Sequence, residues 1–179
     1  RDMVLFYNAN FPTIKTQTEF RVNVAVSGTC NAYYDGASTN FYSAGGGCSN
    51  TAYGDVVWHE YGHHVVACAG SSQDQYGEGY GDLLGVVLSD DPILGYGFYL
   101  NQCSSGIRTA DNTKQYPCSG EIHDCGQLLT GCWWSTRNIL IGTDPSTYQS
   151  LLKNWAVNSV LVHSGGSITP QITIDVLTL

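Results

Sequence analysis

Residues 55–69, Asp55-Val56-Val57-Trp58-His59-Glu60-Tyr61-Gly62-His63-His64-Val65-Val66-Ala67-Cys68-Ala69, read as one helix. Val56, His59, Glu60, His63, Val66 and Ala67 recur at three and four residues, and Gly70-Ser71-Ser72 stops the run. Inside it, His59-Glu60-Tyr61-Gly62-His63 sets two histidines one turn apart on one face. Imidazoles so placed can reach one zinc ion at about 2.0–2.1 Å. Glu60 points to the side of the ion left open, where a carboxylate can take a proton from water. The five-residue pattern also arises on ordinary amphipathic helices, so a third ligand has to decide.

A catalytic zinc takes three protein ligands and keeps one position open. Gly77-Glu78-Gly79-Tyr80-Gly81-Asp82 supplies two acids four residues apart, on one face of a second helix expected over about Tyr76 to Leu88. Glu78 suits the third ligand. Asp82 suits the acceptor for the remaining N–H of a zinc histidine, His59, which would fix its tautomer. A solvated acid pair is the bland alternative, but an unpaired acid in so apolar and glycine-rich a helix is costly.

Around this pair the chain divides by period. Val4–Tyr7, Phe20–Val26, Asn31–Tyr34 and Thr39–Tyr42 carry strand signals, with a turn at Asp35-Gly36. Further helices are expected over about His123 to Ile141 and Ser146 to Val162, and a last strand over Ile172–Val176. Strands first and helices after predict an α+β fold. The expected form is a short amino-terminal, mostly antiparallel sheet on a helical carboxyl-terminal half. We expect a single domain over 1–179, with a sheet lobe of about 1–54 and a helical lobe of about 55–179.

Composition narrows the function classes. Charged residues are 12% of the 179, roughly half the usual share, and fifteen acids against seven bases give a net charge of −8. No Lys/Arg cluster exists, so nucleic acid and anionic membrane surfaces are not expected partners. No apolar run nears the roughly 18 residues of a membrane span. Arg1-Asp2-Met3 does not read as the start of a leader, as expected of a processed chain. Seven cysteines without a paired zinc spacing suggest disulfides, an oxidising compartment and a secreted protein. The odd count leaves one thiol over or paired outside this sequence, and Cys30–Cys48 and Cys103–Cys118, each closing a short polar loop, are two expected pairs. Cys125 and Cys132, about 10 Å apart along a helix, are too far to bridge.

The zinc motifs resemble those of the gluzincin metallopeptidases, nearest the thermolysin and fungalysin types. Three more segments follow in the same order. Asn31-Ala32-Tyr33-Tyr34 is similar to the edge strand whose backbone and Asn side chain hold the substrate. Gly106-Ile107-Arg108 is similar to the segment supplying an arginine to the substrate carbonyl. Glu121-Ile122-His123 is similar to the segment supplying the transition-state histidine. The resemblance runs over roughly residues 20 to 141. It implies a zincin-like fold with the active site in the cleft between lobes. It also implies one zinc on His59, His63 and Glu78, with Glu60 as base, His123 as oxyanion donor, and Asn31, Ala32 and Arg108 against a peptide or protein substrate.

Departures are visible. Only fourteen residues lie between His63 and Glu78, and the family's tyrosine from that connection has no clear match, Tyr76 being the nearest. The family's acid before the histidine falls near Cys118, so Glu121 or Asp124 would have to orient His123. Among rivals, a metzincin needs a histidine at position 69, where Ala69 stands. An aspzincin pattern is faintly echoed by Ser72-Gln73-Asp74-Gln75-Tyr76-Gly77, which keeps Asp74 as an alternative ligand. Asp55 falls at a calcium-ligand position of the gluzincin family and Asp90-Asp91 follow the Glu78 helix, so calcium is a candidate second metal. But calcium wants six to eight oxygens, Ile93, Gly95 and Tyr96 stand where further acids are expected, and the alternative is that Asp55 serves its helix terminus. His64 and His163 carry no motif and are read as packing or surface. A monomeric secreted zinc endopeptidase is the expectation. A zinc-stabilised binding or adhesion module without turnover is the alternative.

Overall fold

The computed structural model describes residues 1–179. Its order is α1 (Asp2–Tyr7), β1 (Arg21–Val26), β2 (Ala32–Tyr34), β3 (Ser38–Tyr42), α2 (Gly54–Ala69), α3 (Asp74–Ser89), β4 (Ile93–Leu94), β5 (Arg108–Thr109), α4 (Ile122–Thr143), α5 (Tyr148–Val162) and α6 (Gln171–Leu177). The class is α+β, with a small sheet and six helices.

Helices α2 and α3 form the frame. Helix α2 ends on Gly70, whose φ of 78° permits the left-handed turn that returns its N–H to Ala67 and Val66. The two helices pack at backbone distance. A Cβ added to Gly62 would lie 2.7 Å from the Gly81 Cα, and one on Gly79 would lie 2.8 Å from the Gly126 carbonyl of α4. Three helices are thereby drawn close along their glycine faces, which brings short acidic side chains of α3 within reach of histidines on α2.

The main core lies among the helices: Val65 and Val66 of α2, Tyr80, Leu83 and Leu84 of α3, Leu128 and Leu129 of α4, and Val157 and Val160 of α5. Tyr80 is fully buried and donates its hydroxyl to the Ala156 carbonyl at 2.9 Å. A smaller cluster of Phe41, Cys48, Val56 and Phe98 joins the sheet to the start of α2.

Several expectations need correction. Val4–Tyr7 is part of helix α1: Val4 is buried while Phe6 is 80% exposed, and Val4, Phe11 and Ile14 belong to the helical core. Residues 1–14 thus fold with the helical lobe, not with the sheet. The stretch Ile172–Val176 is also helical, because Ile172 packs on the core and Asp175, three residues on, reaches His163 at 2.9 Å. A run this short fits either period, and tertiary contacts decide it. The sheet is mixed rather than mostly antiparallel. Its order is β1-β3-β2, with β1 parallel and β2 antiparallel to β3, because the chain passes through β2 before returning between the two. Strand β2 is an edge, as expected.

Cys30–Cys48 is a disulfide, but the second bridge is Cys118–Cys125, not Cys103–Cys118. The loop before α4 folds back on the helix's first turn, which removes the partner expected for Cys103. Three thiols are therefore free, Cys68, Cys103 and Cys132, where one was expected. No helix is long and apolar enough to cross a membrane.

Candidate metal centre and cleft

His59 and His63 stand one turn apart on α2, both buried. Their partners set the chemistry. His59 Nδ1 lies 2.7 Å from Asp82 Oδ1, and Asp82, itself 0% exposed, also takes Arg108 Nε at 2.6 Å and Nη2 at 2.7 Å. Burial pushes the Asp82 carboxyl up, but the Arg108 guanidinium and His59 outweigh it and bring it down to about 2. An ionised carboxylate only accepts, so His59 must carry its proton on Nδ1.

His63 is fixed in the same sense by a residue the sequence did not signal. Gln73 Nε2 donates to the His63 carbonyl at 3.0 Å, which leaves Oε1 as the atom 2.8 Å from His63 Nδ1. That oxygen can only accept, so His63 also carries its proton on Nδ1. Gly77 makes room for it, since a Cβ there would lie 2.5 Å from Oε1.

In the neutral rings both Nε2 atoms then present lone pairs, and they face each other at 3.2 Å. Glu78 Oε2 lies 3.2 Å from one and 3.6 Å from the other. It is buried and accepts no well-aimed hydrogen bond. Three electron-rich atoms from α2 and α3, all within 4.8 Å of one another, repel unless a proton or a metal ion sits among them. This donor set fits a metal ion, and it is the only such group in the molecule. Asp74 is not part of it. Asp90 is taken up by Arg137, Tyr148 and Gln149, and Asp91 by the Ile93 N–H, so neither joins Asp55 in a calcium cage.

The remaining predicted residues fall around one cleft. Asn31, Ala32, Glu60, Arg108 and His123 all line it. Asn31 lies just before the edge strand, its carbonyl taken by Tyr42 N and Thr51 Oγ1. Burial raises the Glu60 carboxyl above its ordinary value, with His59 and His63 pulling the other way. Arg108 is committed to Asp82 through Nε and Nη2, which leaves Nη1 as its one nitrogen without a partner. His123 stands at the first turn of α4, with Nδ1 2.6 Å from Glu121 Oε1 and Nε2 3.0 Å from Glu78 Oε2. Glu121, not Asp124, is its partner. The same carboxylate caps α4 by accepting the His123 and Asp124 N–H groups. The Cys118–Cys125 disulfide brackets the segment.

Tyr76 is excluded from the cleft. It is 1% exposed in the core and stacks on His163 at 4.1 Å between centroids. His64 faces away too, packed against Phe20 and held by Tyr34 Oη at 3.1 Å and Gln17 Oε1 at 3.0 Å. No protein-family model matches the chain, and no curated protein matches it either, so its geometry carries the assignment.

Proposed function

We propose that this protein is a secreted zinc-dependent endopeptidase of zincin-like fold, with His59, His63 and Glu78 as metal ligands. The carrying observation is the convergence of two imidazole lone pairs and an orphaned carboxylate oxygen. Beside them, in an open cleft, stands the Glu60 carboxylate. Two imidazoles and one carboxylate are the donor set of a catalytic zinc site. A structural zinc closes its fourth position with protein, and these residues supply only three donors. The two disulfides suit an oxidising compartment.

When bound, zinc supplies a Lewis acid that lowers the pKa of water towards about 7. The chain's residues do the rest. An extended peptide aligns along the free edge of β2 and borrows its backbone hydrogen bonds. Glu60 takes the proton of the attacking water and passes it to the leaving nitrogen, a role suited by a carboxyl whose affinity for protons is raised. His123, kept protonated by the Glu78 and Glu121 carboxylates and oriented through Nδ1 by Glu121, donates from Nε2 to the oxyanion that forms on the scissile carbonyl. Arg108 Nη1 donates to a substrate carbonyl while its other nitrogens keep Asp82 ionised. Asp82 and Gln73 hold the two imidazoles in the tautomer that binds metal.

The test is Glu60→Gln, which keeps size and burial but removes the base. Peptide hydrolysis by the zinc-loaded protein should fall at least about a hundredfold, with one zinc per chain retained. Equal hydrolysis by the variant would remove Glu60 as the base, and none by the wild type would leave a metal-binding module without turnover.

A further inference from the structure

The cleft beside the metal centre encloses about 280 Å³. Val56, Leu94, Phe98 and Ile107 form an apolar part of its lining. Asp55 lines it as well. It sits four residues before His59 on the same face of α2, about 6 Å further along the helix axis. That distance is close to the reach of one long side chain.

The Asp55 carboxylate is only partly used. Oδ2 accepts the Gly95 N–H at 2.5 Å, and Oδ1 lies 3.1 Å from the N–H of Val56. No Lys, Arg or His nitrogen pairs with it. The one arginine in the cavity, Arg108, is held by Asp82. Its close polar contacts are N–H groups among carbon, not the ring of oxygens that calcium requires. A carboxylate with spare lone pairs, sharing a cleft with apolar side chains and paired with no cation, is complementary to an apolar stem with a positively charged tip.

Resting on the peptidase reading above, we infer that Asp55 is a specificity-determining residue, and that the cavity takes a lysine or arginine side chain flanking the scissile bond. The aliphatic stem lies against Val56, Phe98 and Ile107, and the cation meets Asp55. An acidic side chain is rejected, because it meets the Asp55 carboxylate at like charge. An uncharged chain of equal length gains the wall contacts alone.

The experiment compares peptides that differ at one position beside a mapped cleavage site, carrying lysine, norleucine or glutamate. With zinc-loaded wild type, lysine should exceed norleucine in kcat/KM by about ten- to a hundredfold, the range of a charge-assisted hydrogen bond, and glutamate should be cut least. In Asp55→Asn the Gly95 N–H keeps an acceptor, so the wall stays in place. Lysine and norleucine should then be cut about equally. Norleucine cut as well as lysine by the wild type, or a lysine preference that survives in Asp55→Asn, overturns the assignment. A binding arm separates this from failure of the peptidase reading. Calorimetric affinity of the same peptides for Glu60→Gln, with and without Asp55→Asn, reads the pocket without turnover. A lysine advantage lost with Asp55 supports the inference even where nothing is hydrolysed, and its absence there overturns it.

Discussion

The two walls of the cleft are built on different physical terms. The near wall, α2 against α3, holds its imidazoles almost dry: the side chains of His59 and His63 are 9% and 11% exposed, and Asp82 behind them 1%. Each ring is fixed by a partner that can only accept, and the helices meet through glycines that leave no slack. The far wall, at the start of α4, leaves His123 41% and Glu121 62% exposed. There a capping carboxylate and the Cys118–Cys125 bridge hold the ring in place of burial. A buried polar network must be complete, because each unpaired group costs heavily. An exposed one can be edited singly. The near wall should therefore fail in metal binding, and in stability too where a buried charge is stranded, and the far wall in rate alone.

The largest expected effect is at Asp82. In Asp82→Ala the Arg108 guanidinium stays buried without its counter-ion, a loss of about 3–5 kcal/mol for a broken buried pair. His59 is freed at the same time, so zinc affinity should fall about 10–100-fold. Denaturant unfolding and metal titration read the two losses. Intact stability would show that the near wall is not the closed network described. On the opposite side, His123→Ala should lower kcat by about two to three decades, as removal of one oxyanion donor does. Zinc content and melting temperature should hold. A variant that loses zinc in step with activity would make the two walls one unit and end the contrast.

How much of this was legible follows the same divide. Helical period alone aligned His59 with His63 and Glu78 with Asp82, because side chains four apart must share a face. The hairpin of β2 and β3 was legible in the Asp35-Gly36 turn. Gln73 was not: its use depends on the missing Cβ at Gly77 and on the bend of the chain entering α3, neither of which has a period. The same holds for Cys118–Cys125, whose pairing is set by a loop folding back. Helices α1 and α6 were misread as strands because six or seven residues carry too few turns to separate one period from the other. The parallel pairing of β1 with β3 depends on a non-local return of the chain that local pattern cannot express.

Gln73 gives a smaller test of the near wall. Gln73→Ala removes the acceptor at His63 Nδ1 and lets the ring exchange tautomers. Zinc affinity should fall about tenfold, the lower end of such losses, with little loss of stability because no charge is stranded. Gln73→Glu keeps an acceptor at the same reach and should restore most of the affinity. Competitive chelator titration separates the two. Equal weakening in both variants would mean that Gln73 acts by packing and not by setting the proton.

The smallest effect concerns the free sheet edge, β2, and is read by pH. Asp35 is fully exposed, yet its carboxylate closes the turn into β3. Oδ1 accepts the Ala37 N–H at 2.9 Å and the Ser38 N–H at 2.6 Å, and Oδ2 accepts the Ser38 hydroxyl at 2.8 Å and the Asn40 amide at 3.2 Å. The Ala37 N–H first, then the Ser38 hydroxyl and N–H, hold the carboxyl down from 3.8 to about 2. A carboxyl with a lower pKa folded than unfolded binds more protons in the unfolded chain, so it favours folding once ionised. Its contribution is complete above the unfolded value of 3.8 and is lost as pH falls through about 2. Asp35→Asn keeps some of the acceptors but not the charge. The melting temperature of the wild type should therefore exceed that of the variant by a constant small amount above about pH 5, a margin above the unfolded pKa. The gap should close between about pH 4 and pH 2, as protonation removes the charge from the wild type alone. A gap that stays constant down to pH 2 would assign the turn's stability to shape and not to the carboxylate.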